Sequence, residues 1–378
     1  MTGASSSKNP VGVKICPECL ATHPAAEMAC PEDGAQLIPT GKDRYVGTTL
    51  VNRYKVDKLI GFGQLGMVYE ARDLSLKRDV AIKMLPEHLL KDDQAIKRFQ
   101  RQANLISTLN HPNIATLYDF GEWERRHTYL VMELVKGVAL ARILKSEKRI
   151  SAKRTLDLFI PMCDALATAH KQGVIARDLK PNDLLLMTTP NGSQYLKLVD
   201  LGLAKSLESQ DSITITGDAV TSSQYASPEV LLGEKVDHRA DVCSIGYIML
   251  ECLTGSKPAS IASPVARLKD AERYGVDLKR LCRECEVPEE LTLILARATA
   301  SEKDRRFQSM SSLKEALERL SAKTPAETRV SRQRQLKQKK SNAMLIVTVA
   351  LVIAILGCIG AAVAVLNEGG FLVKHGQR

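Results

Sequence analysis

The sequence contains no internal repeat, which excludes an array of stacked repeat units as its architecture. Aromatic residues are also scarce, at 4% of the 378 residues. Hydrophobic residues nevertheless reach 44% and charged residues 25%, a balance typical of a chain that packs a globular core. The length allows one large domain or two ordinary ones.

Charged residues are absent from one long segment, between Ala343 and Leu366. A helix over this segment would be roughly 36 Å long, and the hydrocarbon core of a bilayer is roughly 30 Å thick. We therefore predict a transmembrane helix over residues 343–366, with a buried soluble helix as the alternative. A signal peptide is excluded because the segment lies near the far end of the sequence.

Acidic residues are almost absent from the segment before that span, although the whole chain has a net charge of +10. The basic residues there are Arg329, Arg332, Arg334, Lys337, Lys339 and Lys340. The positive-inside rule then predicts an inner-membrane protein with residues 1–340 in the cytoplasm and residues 367–378 as a short extracytoplasmic tail.

The basic segment itself, residues 321–342, is predicted to be a juxtamembrane linker whose partner is anionic membrane lipid. Within the span, Gly357 and Ala361 form a small-xxx-small pair. Such a pair is compatible with the association of two spans, so a homodimer stays open.

Nine cysteines in a cytoplasmic protein should be reduced, so disulfides are not expected. After a polar segment 1–15 that we predict to be disordered, residues 16–40 resemble a small zinc ribbon. Tetrahedral zinc needs four ligands, and a ribbon that no longer binds metal is the alternative. The zinc candidates are Cys16, Cys19, Cys30 and Asp33, with His23 as the alternative to Asp33. Few basic residues lie there, so nucleic acid is not expected as a partner.

The other cysteines are predicted to be structural. Cys163, Cys243 and Cys252 lie in apolar helical patterns and are expected in the core. Cys282 and Cys285 form a C-x2-C pair, but no second pair lies nearby in sequence.

Strand patterns dominate residues 54–132, and helical patterns dominate residues 140–320. Ser151 is predicted to cap a helix that ends near Gly173. Pro161 lies inside that pattern and predicts a kink or a break.

A G-x-G-x-x-G-x-V motif runs from Gly61 to Val68, between two predicted strands. Glycines at these positions let the backbone approach phosphate oxygens. A dinucleotide site would require a helix directly after the glycines. Here a strand follows instead, and the next strand carries Lys83, a position typical of kinases.

These motifs resemble those of the eukaryotic-type Ser/Thr protein kinases of bacteria, over residues 54–320. Further motifs follow in the order of that family. They are the catalytic loop Arg177–Asp183, the metal-binding segment Asp200–Gly202, the Ser227–Glu229 element, Asp241 and Arg306. The resemblance implies an α+β, two-lobed fold with a β-rich N-lobe and a helical C-lobe.

The resemblance also implies a membrane-anchored enzyme that transfers the ATP γ-phosphate to protein Ser/Thr hydroxyls, its own included. Asp178, Lys180 and Lys83 would be catalytic. Asp183 and Asp200 would bind Mg²⁺. The implied ATP-binding residues are Ile60, Gly61, Gly63, Gly66, Val68, Ala81, Lys83, Met132, Glu133, Val135 and Leu185.

Three positions depart from the family pattern. Gln102 replaces the helix glutamate that pairs with Lys83, and a neutral partner makes a weaker bond than a charged one. Ala176 replaces a bracing histidine. Asp183 replaces an asparagine and adds a negative charge near Asp178. The alternative is therefore an ATP-binding pseudokinase scaffold with little or no phosphotransfer.

The segment between Asp200 and Glu229 is rich in hydroxyl side chains. The candidate phosphorylation sites there are Thr214, Thr216 and Ser222. A phosphate on this segment would order it by pairing with basic side chains such as Arg177. Ordinary loop hydroxyls without a regulatory role are the alternative.

Overall fold

The computed structural model describes nine stretches of the chain: residues 13–16, 22–31, 37–39, 45–63, 66–85, 93–124, 127–202, 224–258 and 271–323. Almost all of them lie in one compact unit, residues 1–318. Along the chain they form a small sheet, a larger sheet and a mainly helical region.

The small N-terminal sheet has the strand order β2-β1-β3, and its strands pair antiparallel. The strands are β1 Val13–Ile15, β2 Thr22–Pro24 and β3 Ile38–Pro39. Cys16, Cys30 and Leu37 are buried together beside it. The ordered strand β1 lies within the segment 1–15, so the prediction of disorder is wrong for residues 13–15. Pairing with β2 and β3 satisfies the backbone of β1, a long-range effect that the polar composition does not reveal.

The larger sheet is antiparallel, with the strand order β4-β5-β6-β7-β9-β8. Its strands are β4 Thr49–Leu50, β5 Tyr54–Gly63, β6 Gly66–Asp73, β7 Arg78–Met84, β8 Leu117–Trp123 and β9 His127–Glu133. Helix α1, Asp93–Ser107, lies between β7 and β8 in sequence. Phe99 of α1 packs edge-on against Phe120 of β8, with ring centroids 5.8 Å apart.

Side chains alternate along the strands, so the two faces of this sheet carry different sets of residues. One face forms an apolar core that the ring of Tyr45 joins from outside the sheet. Its strand residues are Leu50, Tyr54, Val56, Tyr69, Ala71, Val80, Ile82, Met84, Tyr129 and Val131. Because successive side chains in a strand point to opposite faces, Ala81 and Lys83 lie on the other face.

The helical region begins with β10 and contains a second small sheet of order β10-β11-β12. The elements are β10 Val138–Ala139, α2 Leu140–Glu147, α3 Ala152–Lys171, β11 Leu184–Thr188, β12 Gln194–Leu198, α4 Pro228–Leu231, α5 Arg239–Thr254, α6 Ala271–Glu284, α7 Glu289–Ala298 and α8 310–323. Helix α5 is buried from Ala240 to Thr254, which makes it the centre of this lobe. Cys243 and Cys252 lie on it, and Cys163 is buried on α3, as predicted.

Helix α3 tests two predictions from local sequence. Ser151 caps it as expected, because its hydroxyl accepts the N–H of Arg154 at 3.3 Å. The prediction at Pro161 was a kink or a break, and the break is excluded because α3 continues through this residue to Lys171. A proline removes only one helical N–H donor, and the buried side chains on both sides of Pro161 hold the helix together.

No helix in the described ranges is long and apolar enough to cross a membrane. The predicted transmembrane helix 343–366, the tail 367–378 and nearly all of the linker 321–342 lie outside those ranges.

Candidate active site

Strands β5 and β6 form a hairpin whose end carries the glycine motif. Gly63 is paired with Gly66, and Gly61 with Val68. Gly66 has φ 119°, and a Cβ there would lie 2.0 Å from the carbonyl oxygen of Met84. Only glycine fits such a contact, so the hairpin can lie directly against β7.

The predicted adenine-pocket residues lie on neighbouring strands. Ala81 is 5% exposed and is paired with Met132 of β9. Val68 is paired with Lys83. Glu133 ends β9 and Val135 follows it, whereas Leu185 lies on β11 of the small sheet β10-β11-β12. Ile60 precedes the glycine motif on β5.

Lys83 and Asp200, which are 117 residues apart in sequence, form an ion pair of 2.5 Å. The side chain of Lys83 is 9% exposed and that of Asp200 29%. Burial opposes ionisation of Asp200, but Lys83 and the N–H of Gly202 lower its pKa below the ordinary value. Within the described ranges Lys83 donates to Asp200 and not to Gln102, so the pairing of Gln102 with Lys83 stays a prediction.

Asp241 of α5 holds the predicted catalytic loop through hydrogen bonds to its backbone. Its carboxylate accepts the backbone N–H groups of Ala176 at 3.0 Å and Arg177 at 2.8 Å. It also contacts His170 Nε2 at 2.7 Å. Arg177 has φ 65°, and this turn directs the chain towards Asp178.

Ala176 also contacts the predicted metal-binding segment. Gly202 has φ 63°, and a Cβ at this residue would lie 2.1 Å from the carbonyl oxygen of Ala176. The two backbones therefore touch here, although the family's histidine is missing. The interpretation that Ala176 loosens this segment must be weighed against this close contact and against Asp241, which holds the loop directly.

Asp183 lies in a short 3-10 turn, Pro181–Asp183, and its side chain is buried. One carboxylate oxygen accepts the N–H of Lys180 at 3.1 Å. Burial raises the pKa of Asp183 to about 8, with Lys180 opposing and with Asp200 and Asp178 adding to the rise. The carboxyl groups of Asp178, Asp183 and Asp200 thus influence one another at this site, and carboxylate oxygens are ligands that Mg²⁺ prefers.

The Ser227–Glu229 element is anchored by an ion pair with Arg306. The two Nη atoms of Arg306 lie 2.7 and 2.8 Å from the carboxylate oxygens of Glu229. Both side chains are buried. Arg306 falls where the family has an arginine that pairs with the glutamate of this element, and that pair is formed here.

Several predicted site residues lie outside the described ranges. They are Thr214, Thr216 and Ser222 of the candidate phosphorylation segment, and Cys19 and Asp33 of the ribbon. Among the residues that are described, no three metal-ligating side chains come together. His23 therefore does not join Cys16 and Cys30, and it contacts Glu27 at 3.0 Å instead.

Two polar residues near the site, His170 and Lys197, belong to no motif found in the sequence. His170 supports Asp241, and Lys197 of β12 forms an ion pair with Glu133. Their partners are 71 and 64 residues away in sequence, so no local pattern could have identified them.

Comparison with known families agrees with this geometry. The family model for the protein kinase domain matches residues 54–339, and the chain belongs to this family. The predicted domain end, residue 320, therefore falls short of the matched region.

The curated relatives are named as serine/threonine-protein kinases. Serine/threonine-protein kinase PknB of Mycolicibacterium smegmatis is 36% identical over 276 residues, which are 72% of this chain and 43% of that protein. Serine/threonine-protein kinase pkn3 of Myxococcus xanthus is 38% identical over 226 residues, 59% of this chain and 41% of that protein. The chain thus spans less than half the length of these relatives.

Solved structures share the fold. The PknI kinase domain of Mycobacterium tuberculosis aligns with a TM-score of 0.56 at 24% identity, over 72% of this chain and 98% of that one. The two-lobed protein kinase fold expected from the motifs is therefore confirmed.

Proposed function

We propose that this chain is a Mg²⁺-dependent Ser/Thr protein kinase that transfers the ATP γ-phosphate to protein hydroxyls, including its own. The observation that carries the proposal is the Lys83–Asp200 ion pair. It joins the strand behind the glycine hairpin to the segment after β12, where phosphates and metal meet in kinases. Membership of the protein kinase domain family and the Ser/Thr kinase relatives support it.

Each charged group has a role in this proposal. Asp178 orients the substrate hydroxyl and accepts its proton. Lys180 neutralises charge on the transferred phosphoryl group, and Lys83 binds the α- and β-phosphates of ATP. Positive groups that are fixed before the reaction stabilise the transition state without reorganising.

Asp183 and Asp200 are the residues that would hold Mg²⁺. When bound, the ion would neutralise charge on the phosphate oxygens. Burial is the main cause of the raised pKa of Asp183, and the neighbouring carboxylates of Asp200 and Asp178 add to it. A cation bound between these groups would favour the ionised form of Asp183.

The nucleotide pocket in this proposal is lined by side chains of both sheets. Gly61, Gly63 and Gly66 cover the phosphates, and the backbone of Glu133 and Val135 binds the adenine edge. The apolar lining consists of Ile60, Val68, Ala81, Met132 and Leu185.

Phosphotransfer by the purified full-length chain in detergent tests the proposal. The chain is incubated with γ-labelled ATP and Mg²⁺, and label is measured on the chain and on a generic Ser/Thr substrate. We expect transfer by the natural chain and a loss of about 100-fold or more in Asp178→Asn. Lys153→Met, on the exposed surface of α3, is the matched control and should transfer normally.

The same experiment separates the enzyme from a pseudokinase scaffold. If the natural chain binds ATP and transfers nothing while Asp183→Asn does transfer, then the natural chain is a scaffold. If transfer occurs only in the natural chain, Asp183 is part of its working metal site.

Phosphosites and membrane anchoring extend the proposal. We propose Thr214, Thr216 and Ser222 as autophosphorylation sites, which mass spectrometry of the labelled chain would locate. We also propose that residues 343–366 anchor the chain in the inner membrane, because the segment is uncharged and follows a basic one. Carbonate extraction of membranes tests this: release of the chain into the soluble fraction would contradict it.

We further propose that the N-terminal ribbon binds zinc through Cys16, Cys19, Cys30 and Asp33. The burial of Cys16 and Cys30 in one cluster supports this assignment. Metal analysis of the full-length chain should find one zinc per chain, and Cys16→Ser with Cys30→Ser should lose it. Absence of zinc from the natural chain would overturn the assignment.

A further inference from the structure

A junction of three residues, Thr116, Glu133 and Lys197, connects the end of β9 to β12. Lys197 donates to Oε1 of Glu133 at 2.5 Å. The second carboxylate oxygen, Oε2, accepts the N–H of Thr116 at 3.3 Å. Lys197 is 12% exposed and Glu133 28%, so solvent and salt screen this pair less than a surface pair.

Further hydrogen bonds connect the segment 113–116 to β9 and to β12. The N–H of Glu133 donates to the carbonyl of Thr116 at 2.9 Å. The segment 113–116 is bonded in turn to β12. Its contacts are Ala115 N–H to Leu198 O at 2.8 Å, Leu198 N–H to Asn113 O at 2.8 Å, and Asn113 Nδ2 to Leu196 O at 2.7 Å.

The junction therefore stands between two groups that handle one substrate. Strand β12 ends at Leu198, and Asp200, the proposed metal ligand, follows two residues later. Strand β9 ends at Glu133, whose backbone is proposed to bind the adenine edge. A shift of β12 that moved Asp200 would stretch the Lys197–Glu133 ion pair.

A partly buried ion pair contributes little net stability, but breaking it by removing one partner is costly. Its charge and its two-sided hydrogen bonding instead favour one relative position of the segments that it joins. We propose that Lys197 is a positioning residue that acts through Glu133, so that adenine binding and divalent-metal binding reinforce each other. This inference rests on the proposed nucleotide and metal sites.

The test is the metal dependence of nucleotide affinity, measured on the full-length chain in detergent. The dissociation constant of ADP is determined by calorimetry with Mg²⁺ and with a chelator. The value with chelator divided by the value with Mg²⁺ measures the coupling. In Lys197→Met this ratio should fall at least fivefold towards one. Lys197→Arg, which keeps the cation, should retain most of the coupling.

Further variants separate this role from a loss of structure. Glu133→Gln should lower the coupling as Lys197→Met does, and the double variant should lower it no further, because the two residues act as one unit. Lys153→Met removes an exposed ion pair of similar length, 2.6 Å, and should leave the ratio unchanged. Thermal unfolding of each variant identifies those that fold. If Lys197→Met does not fold, Glu133→Gln takes its place in the test.

A ratio in Lys197→Met within twofold of the natural value would overturn the inference. So would a natural chain whose ADP affinity does not depend on Mg²⁺. If the coupling falls as expected in a chain that transfers no phosphate, the junction stands and the proposed enzyme activity fails. The two proposals can thus fail separately.

Discussion

Among the ion pairs that join distant segments, those of Arg306 and Lys83 differ in their surroundings. Arg306 and Glu229 are both buried and form a bidentate pair. Arg306 also donates to three backbone carbonyl oxygens, those of Arg239, Ala300 and Ser301. Lys83, in contrast, has Asp200 as its one polar partner in the described ranges, and Asp200 is 29% exposed.

The two cations differ in how many of their hydrogen-bond donors the protein occupies. This difference separates a structural cation, Arg306, from one that is proposed to bind phosphate, Lys83. The donors of Arg306 are occupied by the protein itself, so this side chain holds the helical lobe together. The ammonium of Lys83 can make three hydrogen bonds, and Asp200 takes one of them. Lys83 therefore keeps donors for a phosphate, and its loss should affect catalysis more than folding.

The largest effect is expected from Arg306→Met. This substitution leaves Glu229 buried without a counter-ion, so the free energy of unfolding should fall by about 3–5 kcal/mol. Urea denaturation of the full-length chain measures this change. Arg305→Met is the control, since Arg305 is 74% exposed and its pair with Glu302 is on the surface. Equal costs for the two variants would remove the distinction between the pairs.

The second prediction concerns Lys83→Met. Phosphotransfer should fall by about 100-fold or more, because a fixed cation at the phosphates is lost. The loss of stability should be much smaller than for Arg306→Met, because Asp200 retains solvent contact and the N–H of Gly202. Lys58→Met, which removes an exposed cation of β5, should change neither quantity. A severe stability loss in Lys83→Met would make this pair structural too.

A smaller effect is expected when Lys83 receives a second anionic partner. Gln102→Glu introduces a carboxylate on α1, and a hydrogen bond to a charged group is stronger than a neutral one by about 1 kcal/mol. We expect the KM for ATP to fall about fivefold. Gln100→Glu adds the same charge at an exposed position of this helix and should have no effect. An unchanged KM in Gln102→Glu would mean that residue 102 does not control Lys83.

The smallest effect is the pH dependence of the Arg306–Glu229 pair. Burial opposes ionisation of Glu229, but the hydrogen bonds of Arg306 lower its pKa below the ordinary value. The unfolded-state pKa of about 4.3 is then higher than the folded one, so the stabilisation is complete above it and is lost as pH falls through the folded pKa. The stability difference between the natural chain and Glu229→Gln should be constant from pH 7 to 5 and shrink at lower pH. A difference that grew in acid would reverse this sign.

Much of the fold could be predicted, because local patterns reflect local forces. Strand patterns over residues 54–132 were confirmed by β5, β6 and β7, and the cap at Ser151 was confirmed. Of the kink or break predicted at Pro161, the break does not occur, because tertiary burial of α3 outweighs one missing hydrogen bond. In the described ranges Lys83 donates to Asp200 rather than to Gln102, and the sequence could not show this because the position of α1 relative to β7 depends on packing.

The sequence by itself determined which chemical groups this protein brings to its site. Motifs at fixed spacing single out Lys83, Asp178 and Asp200, because a glycine hairpin and a catalytic loop need particular residues at particular backbone conformations. Only the tertiary structure decided how those groups are partnered. The Lys83–Asp200 pair and the Glu133–Lys197 junction form across 117 and 64 residues, and such contacts depend on how the sheets and helices pack.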